Sequence, residues 1–288
     1  MFDDILIPTD GSDEADVAVD HGIELAKKYD ATVRVLHVVN LVALGRVSDV
    51  QPAKDAGRGI VATVGDRVED NEVPLETDVR SGIPHVEILK YASQNDVDLI
   101  AMGRQGQGRL EDFLIGSVTT NVVREADVPV LTVRMADNGE LYCPYENILV
   151  PTDGSQTATN AADTAIELTD RYDATLHILS VIDTQPLGFD VRSEVAQDEL
   201  EEDSETAIDE IEAQAQKGGL SAVRTSVEHG RPHQTIRTYV AENEIDLVVM
   251  GTHGRTAVDR LFLGSVTKRV LQTVPVPVVT VQTLEDTQ

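Results

Sequence analysis

At 288 residues the chain has room for two domains of about 150 residues each. Its 51 acidic and 23 basic residues give a formal net charge of −28, which argues against a nucleic-acid or anionic-membrane partner, because both need a basic surface. One cysteine, Cys143, rules out an intrachain disulfide, and no apolar run approaches the roughly 20 residues of a membrane span.

The N-terminus, Met1-Phe2-Asp3-Asp4, lacks the basic and apolar regions of a signal peptide, so a cytoplasmic protein is expected. Residues 5–8 read as a short buried strand, and Ser12 as the cap of a helix with apolar positions Ala15, Ala18, Val19, Gly22, Ile23 and Ala26. Residues 32–39 are β-branched and read as a second strand. Residues 41–57 have weak periodicity, and a helix then runs to about Asn71. A strand over 76–80, a helix over 84–95 with Pro at its start, a strand over 98–102, a helix over 117–125 and a strand over 128–133 complete the first half.

The second half repeats that order, with strands near 147–151, 175–181, 222–228, 246–250 and 276–281 and a long acidic helix over 193–217. Asp10-Gly11-Ser12 returns as Asp153-Gly154-Ser155, an offset of 143, and Gly82-Ile83-Pro84-His85 returns as Gly230-Arg231-Pro232-His233, an offset of 148. Two long copies are a domain duplication rather than a solenoid. Domains are expected over 1–136 and 145–284, each an α/β fold around a parallel sheet.

Two motifs carry chemistry. Gly103, Gly106, Gly116 and Ser117 read G-x2-G-x9-G-S, and Gly251, Gly254, Gly264 and Ser265 repeat that spacing 148 positions later. A strand, a glycine loop and a helix start together suit a phosphate, which takes backbone N–H groups at the positive end of the helix dipole. Each half also opens with Pro-Thr-Asp-Gly-Ser, placing Asp10 and Asp153 at a strand's carboxyl end, where open parallel sheets bind ligands. Asp-Gly-Ser equally suits a plain turn and helix cap. His253 and Arg255 stand in the second loop where the first has Gln105 and Gln107; they suit either a phosphate contact or a solvated loop. His37 and His177 read as packing or edge residues, and His85 and His233 as helix caps. No metal-ligand spacing is present.

These motifs resemble the universal stress protein family over nearly the whole chain, in tandem. The resemblance implies two doubly wound, five-stranded parallel sheets in order 3-2-1-4-5, and ATP binding by the branch with this glycine motif. It places Pro8, Thr9 and Asp10 at adenosine, with Val38 or Val39 lining the adenine, and Met102, Gly103, Arg104, Gly106, Gly116, Ser117, Val118 and Thr119 at ribose and phosphates. The second set is Pro151, Thr152, Asp153, Val181, Met250, Gly251, Thr252, Gly254, Arg255, Gly264, Ser265, Val266 and Thr267, with His253 beside it. Mg2+ or Mn2+ would enter through the phosphates. The resemblance also implies that the last strands, Val128 to Val133 and Val276 to Val281, pair the halves as an intrachain pseudo-dimer, with further homodimerisation open.

The first loop departs from the family pattern at Gln107, and Glu111-Asp112 adds negative charge, so the second site is expected to bind ATP more tightly. The leading functional expectation is a nucleotide-binding stress-response regulator. A slow ATPase or autokinase on the same fold, and a nucleotide-free interaction module, are the alternatives; no Walker lysine supports the enzyme. With 17 arginines against six lysines, the acidic charge fits a cytoplasm of molar salt, where the Debye length is about 3 Å.

Overall fold

The computed structural model describes residues 2–46, 49–106, 114–135, 142–183, 194–254 and 263–282. The chain divides into two compact units, Met1–Cys143 and Pro144–Gln288. The first holds β1 (Asp4–Pro8), α1 (Asp13–Tyr29), β2 (Thr32–Asn40), α2 (Leu41–Leu44), α3 (Val50–Glu69), β3 (Leu75–Gly82), α4 (Pro84–Gln94), β4 (Leu99–Gly103), α5 (Ser117–Glu125) and β5 (Val130–Val133). The second holds β6 (Asn147–Thr152), α6 (Gln156–Tyr172), β7 (Thr175–Asp183), α7 (Glu194–Lys217), β8 (Val223–Gly230), α8 (Pro232–Glu242), β9 (Leu247–Gly251), α9 (Ser265–Thr273) and β10 (Val278–Val281).

Within the first unit the strands lie in order β3-β2-β1-β4-β5, and every pairing is parallel. The second unit has the matching order β8-β7-β6-β9-β10, also parallel. In both, order reverses beside the first strand, between β1 and β4 or between β6 and β9, and a crevice opens at the carboxyl ends there. The central strands are buried on both faces, which is why Ile5-Leu6-Ile7 and Leu99-Ile100-Ala101 are continuous apolar runs. Helix α1 touches α3, and α4 touches α5, giving a helical layer on each face of the sheet.

Local chemistry sets the element ends. The Ser12 hydroxyl accepts from the Ala15 amide at 3.3 Å, and acidic residues fill the first turn of α1 while Lys27 and Lys28 fill the last. Ser155 caps α6 in the same way. Both helices end on an aspartate in the left-handed region, Asp30 at φ 58° and Asp173 at φ 55°. The aspartate before β4 has a role that its position in the sequence does not reveal. Asp98 Oδ2 accepts from the Asp3 and Asp4 amides at 2.8 and 3.0 Å, tying the start of β4 to the start of β1. Asp246 does the same for Glu146 and Asn147, at 2.9 Å each.

Some expectations change. The weakly periodic stretch from Leu41 contains the one-turn α2, and α3 begins at Val50. The strands expected over 128–133 and 276–281 begin only at Val130 and Val278. Pro129 and Pro277 sit just before them, without an N–H for the ladder, but their carbonyls accept from Ile100 and Val248. His85 and His233 do not cap. They are the second residues of α4 and α8, whose N-caps are Ile83 and Arg231, and neither start has a side-chain cap bond. His37 is a brace as much as a packing residue: its Nδ1–H donates to the Thr9 carbonyl at 2.8 Å. His177 is fully buried against Tyr239.

Candidate functional site

In the first unit the crevice has a volume of about 360 Å3, and in the second about 410 Å3, both within the ~300–1,000 Å3 of ordinary small-molecule sites. The strand tips supply Pro8, Thr9 and Asp10 to one, and Pro151, Thr152 and Asp153 to the other. Val38 and Val181 line the side formed by β2 and β7, while Met102 and Met250 line the floor at β4 and β9. The glycine loop and the next helix start close the far side with Gly103, Gly106, Gly116, Ser117, Val118 and Thr119, and with Gly251, His253, Gly254, Gly264, Ser265, Val266 and Thr267.

The Asp-Gly-Ser turn serves both as a cap and as a wall. Asp10 Oδ1 accepts from the Ser12 amide and Asp153 Oδ1 from the Ser155 amide, both at 3.0 Å. The other carboxylate oxygen faces the glycine loop so closely that a β-carbon on Gly106 would lie 2.4 Å from Asp10 Oδ2, and one on Gly254 2.5 Å from Asp153 Oδ2. Glycine lets the loop backbone pass at this distance without displacing the carboxylate.

Helices α5 and α9 start differently from α1 and α6. Their N-caps are Gly116 and Gly264, with no side-chain cap. The amides of the first three helical residues therefore have neither an intrahelical partner nor a capping side chain, and Ser117, Val118, Ser265 and Val266 stand at the crevice wall. The glycine amides themselves are spent closing the loop: Gly116 donates to the Arg104 carbonyl at 2.8 Å and Gly264 to the Thr252 carbonyl at 2.9 Å. Thr119 and Thr267 are also committed, since each hydroxyl donates at 2.9 Å to the carbonyl of Gly103 or Gly251 and pins helix to strand.

The two collars differ beneath the loop. In the first, Glu14 Oε2 accepts from the Gln105 amide at 2.5 Å, and Arg104 lies 4.0 Å from the same carboxylate. Burial pushes the Glu14 pKa up, against the pull of the Gln105 amide, Arg104 and Arg134; Asp10 adds a further push. The Gln105 side chain donates to the Leu114 carbonyl. In the second, Thr157 replaces Glu14 and donates to the His253 carbonyl at 2.5 Å. His253 Nδ1 lies 2.8 Å from the Thr252 hydroxyl, while its Nε2 is buried with no hydrogen-bond partner.

Most of the residues singled out in the sequence come together. Val39, Arg104 and Thr252 do not line the crevices. Val39 is buried on the strand face opposite to Val38, because neighbouring strand residues point to opposite sides. Arg104 and Thr252 are buried behind the loop, where their amides continue the ladder to Val133 and Val281. Arg255, Gln107, Glu111 and Asp112 lie outside the described residues. The crevices also include Ala15, Leu36, Asn40, Pro84 and Ile88, and Ala158, Leu179, Asp183, Pro232 and Ile236. Except for Asn40 and Asp183, these are identical between the halves at the two repeat offsets, a signal that could have marked them.

The Universal stress protein family matches residues 1–134 and again 144–282. The chain belongs to the universal stress protein family. It does so as a tandem member. A universal stress protein of Methanocaldococcus jannaschii is 36% identical over 141 residues, spanning 46% of this chain and 83% of its own. One from Mycobacterium tuberculosis is 26% identical over 292 residues, 96% of this chain and 95% of its own. The crystal structure of a universal stress protein from Archaeoglobus fulgidus superposes with a TM-score of 0.73 at 26% identity, covering 98% of this chain and 97% of that one. The tandem arrangement is thus shared with full-length relatives.

Proposed function

We propose that this universal stress protein binds ATP in each half and acts as a cytoplasmic stress-response regulator whose state follows nucleotide occupancy. One observation carries the reading: in both halves an uncapped helix start faces a strand-tip aspartate across a crevice of nucleotide size. The aspartate and Val38 or Val181 suit adenosine. The amides at Ser117 and Val118, or Ser265 and Val266, suit phosphate oxygens.

The second crevice is the better triphosphate site. Its loop carries His253, whose imidazole can donate to a phosphate oxygen once the ring turns its buried, unpartnered Nε2 toward the crevice. The first loop instead presents the Glu14 carboxylate to an amide of its own. Among the described residues no group of three or more His, Cys, Asp or Glu side chains could hold a metal ion. Mg2+ or Mn2+ would therefore be held chiefly by the phosphates and water, with Asp10 or Asp153 as the carboxylate at hand.

Mass spectrometry of ligand released from the purified protein tests the reading. Adenine nucleotide, at up to two per chain, is the expected result. A protein that neither carries nor titrates with adenine nucleotides overturns it. Single-turnover incubation with Mg2+ or Mn2+ separates regulator from enzyme: bound ATP should survive for hours.

A further inference from the structure

The mouth of the second crevice differs from that of the first in a way the shared fold does not require. Between the starts of α8 and α9 lies a side cavity of about 290 Å3, lined among others by Asp183, Arg231, His233, Gln234, Ser265 and Arg269. Asp183 and Ser265 also line the crevice, so the two volumes adjoin. Arg231 is the N-cap residue of α8, and Arg269 stands one turn along α9 from Ser265. The side chains are close enough to sense one another. The His233 pKa is lowered by burial, then by Arg269 and Arg231, with Asp183 opposing.

At the repeat-equivalent positions the first half has Ile83 for Arg231, Val86 for Gln234, Asn121 for Arg269 and Asn40 for Asp183. Ile83 and Val86 are 48% and 44% exposed, so that mouth presents apolar side chains and two asparagines where the second presents arginines. In a chain with more than twice as many acids as bases, two arginines and a histidine gather at one cavity. The two guanidiniums are the cations here, with the Asp183 carboxylate beside them, and the lowered pKa keeps His233 toward its neutral form. Like charges so placed repel, and an anion between them relieves the repulsion.

We infer that this side cavity is an anion subsite for an additional phosphate group on the ligand of the second crevice, and that the first crevice has no such subsite. The inference rests on the nucleotide reading of that crevice. Two guanidinium forks supply directed, charge-assisted hydrogen bonds, and the α8 and α9 starts add their positive dipole ends. The additional group is either the end of a longer 5′ chain or a phosphate on the ribose.

Isothermal titration calorimetry of the full chain separates these sources, in the least KCl at which the protein stays folded. It compares ATP with adenosine 5′-tetraphosphate, and AMP with adenosine 3′,5′-bisphosphate. The wild type is set against Arg231→Ile with Arg269→Asn, the first half's residues. At one site an extended ligand should bind about tenfold or more tighter than its shorter partner, and the variant should lose that gain but keep the shorter ligand's affinity. A gain with the tetraphosphate places the group at the chain end, and a gain with the bisphosphate places it on the ribose. No gain in the wild type, or a gain that survives in the variant, overturns the subsite. If no adenine nucleotide binds, the nucleotide reading falls. Inorganic pyrophosphate then decides the subsite alone: weaker binding to the variant upholds it, and equal binding overturns it. Melting without ligand checks the fold, and Arg231→Gln with Arg269→Gln replaces the variant should it fail to fold.

Discussion

Glu14 and Thr157 occupy the same place in the two halves and set different fates for the loop above them. A carboxylate that accepts the Gln105 amide puts negative charge beneath the first collar. On the proposed ATP reading, replacing it by the second half's residue, Glu14→Thr, should raise the ATP affinity of the first crevice toward that of the second; calorimetry on the full chain reads this directly, and unchanged affinity would count against it. Because burial raises its pKa, Glu14 is a cost to the folded state at neutral pH, one relieved as the pH falls toward the ordinary glutamate value. His21 acts in the opposite sense. It is buried, with Cys143 Sγ 3.3 Å from its Nδ1, and desolvation lowers its pKa from 6.5 to about 4. Below pH 6.5 the unfolded chain takes up a proton that the folded chain refuses until about pH 4. Stability is therefore lost as the pH falls through that window, by about 3 kcal/mol at full extent. The drop in melting temperature between those two pH values should shrink in His21→Met.

Gly103 and Gly251 decide how closely a helix can approach a strand. A β-carbon on Gly103 would lie 2.9 Å from the Glu14 backbone carbon, and one on Gly251 2.9 Å from that of Thr157. Backbone cannot swing aside like the end of a long side chain, so α1 or α6 must shift. Gly103→Ala should cost about 1–3 kcal/mol in urea denaturation. Gly59, within α3, has nothing within 4 Å of the added carbon, and Gly59→Ala should stabilise by about 0.5–1 kcal/mol. The contrast separates close approach from helix propensity. Strong periodicity with a serine cap made α1 and α6 legible, whereas α2 is one turn, apolar at all four positions and so without a period, held by an asparagine whose side chain accepts from Val42 and Ala43.

Net charge acts on the molecule as a whole. With a formal charge of −28, self-repulsion opposes the compact state and is weakened when salt shortens the Debye length to about 3 Å at 1 M. The melting temperature should rise from dilute buffer to molar KCl, and an unchanged value would remove the case for a salt-rich cytoplasm. Duplication left the two strand orders alike while the crevice mouths diverged, apolar at Ile83 and Val86, cationic at Arg231 and Arg269. No described helix is long and apolar enough to cross a membrane.

What the amino-acid order determined alone was local and repeated: two α/β copies, the serine caps, the strand-tip aspartates, the glycine spacing and the family. These depend on neighbours a few residues apart, and repetition made them visible twice. Tertiary structure decided what meets across long separations. Strand alternation turned Val39 away, the ladder buried Arg104 and Thr252, and α1 carried Glu14 to an amide 91 residues along the chain. Asp98 reaching back to Asp3 and Asp4, and Arg231 gathering beside Arg269, belong to the same class. Register and packing fix such meetings only when every element has found its partners, so no short stretch of sequence contains them.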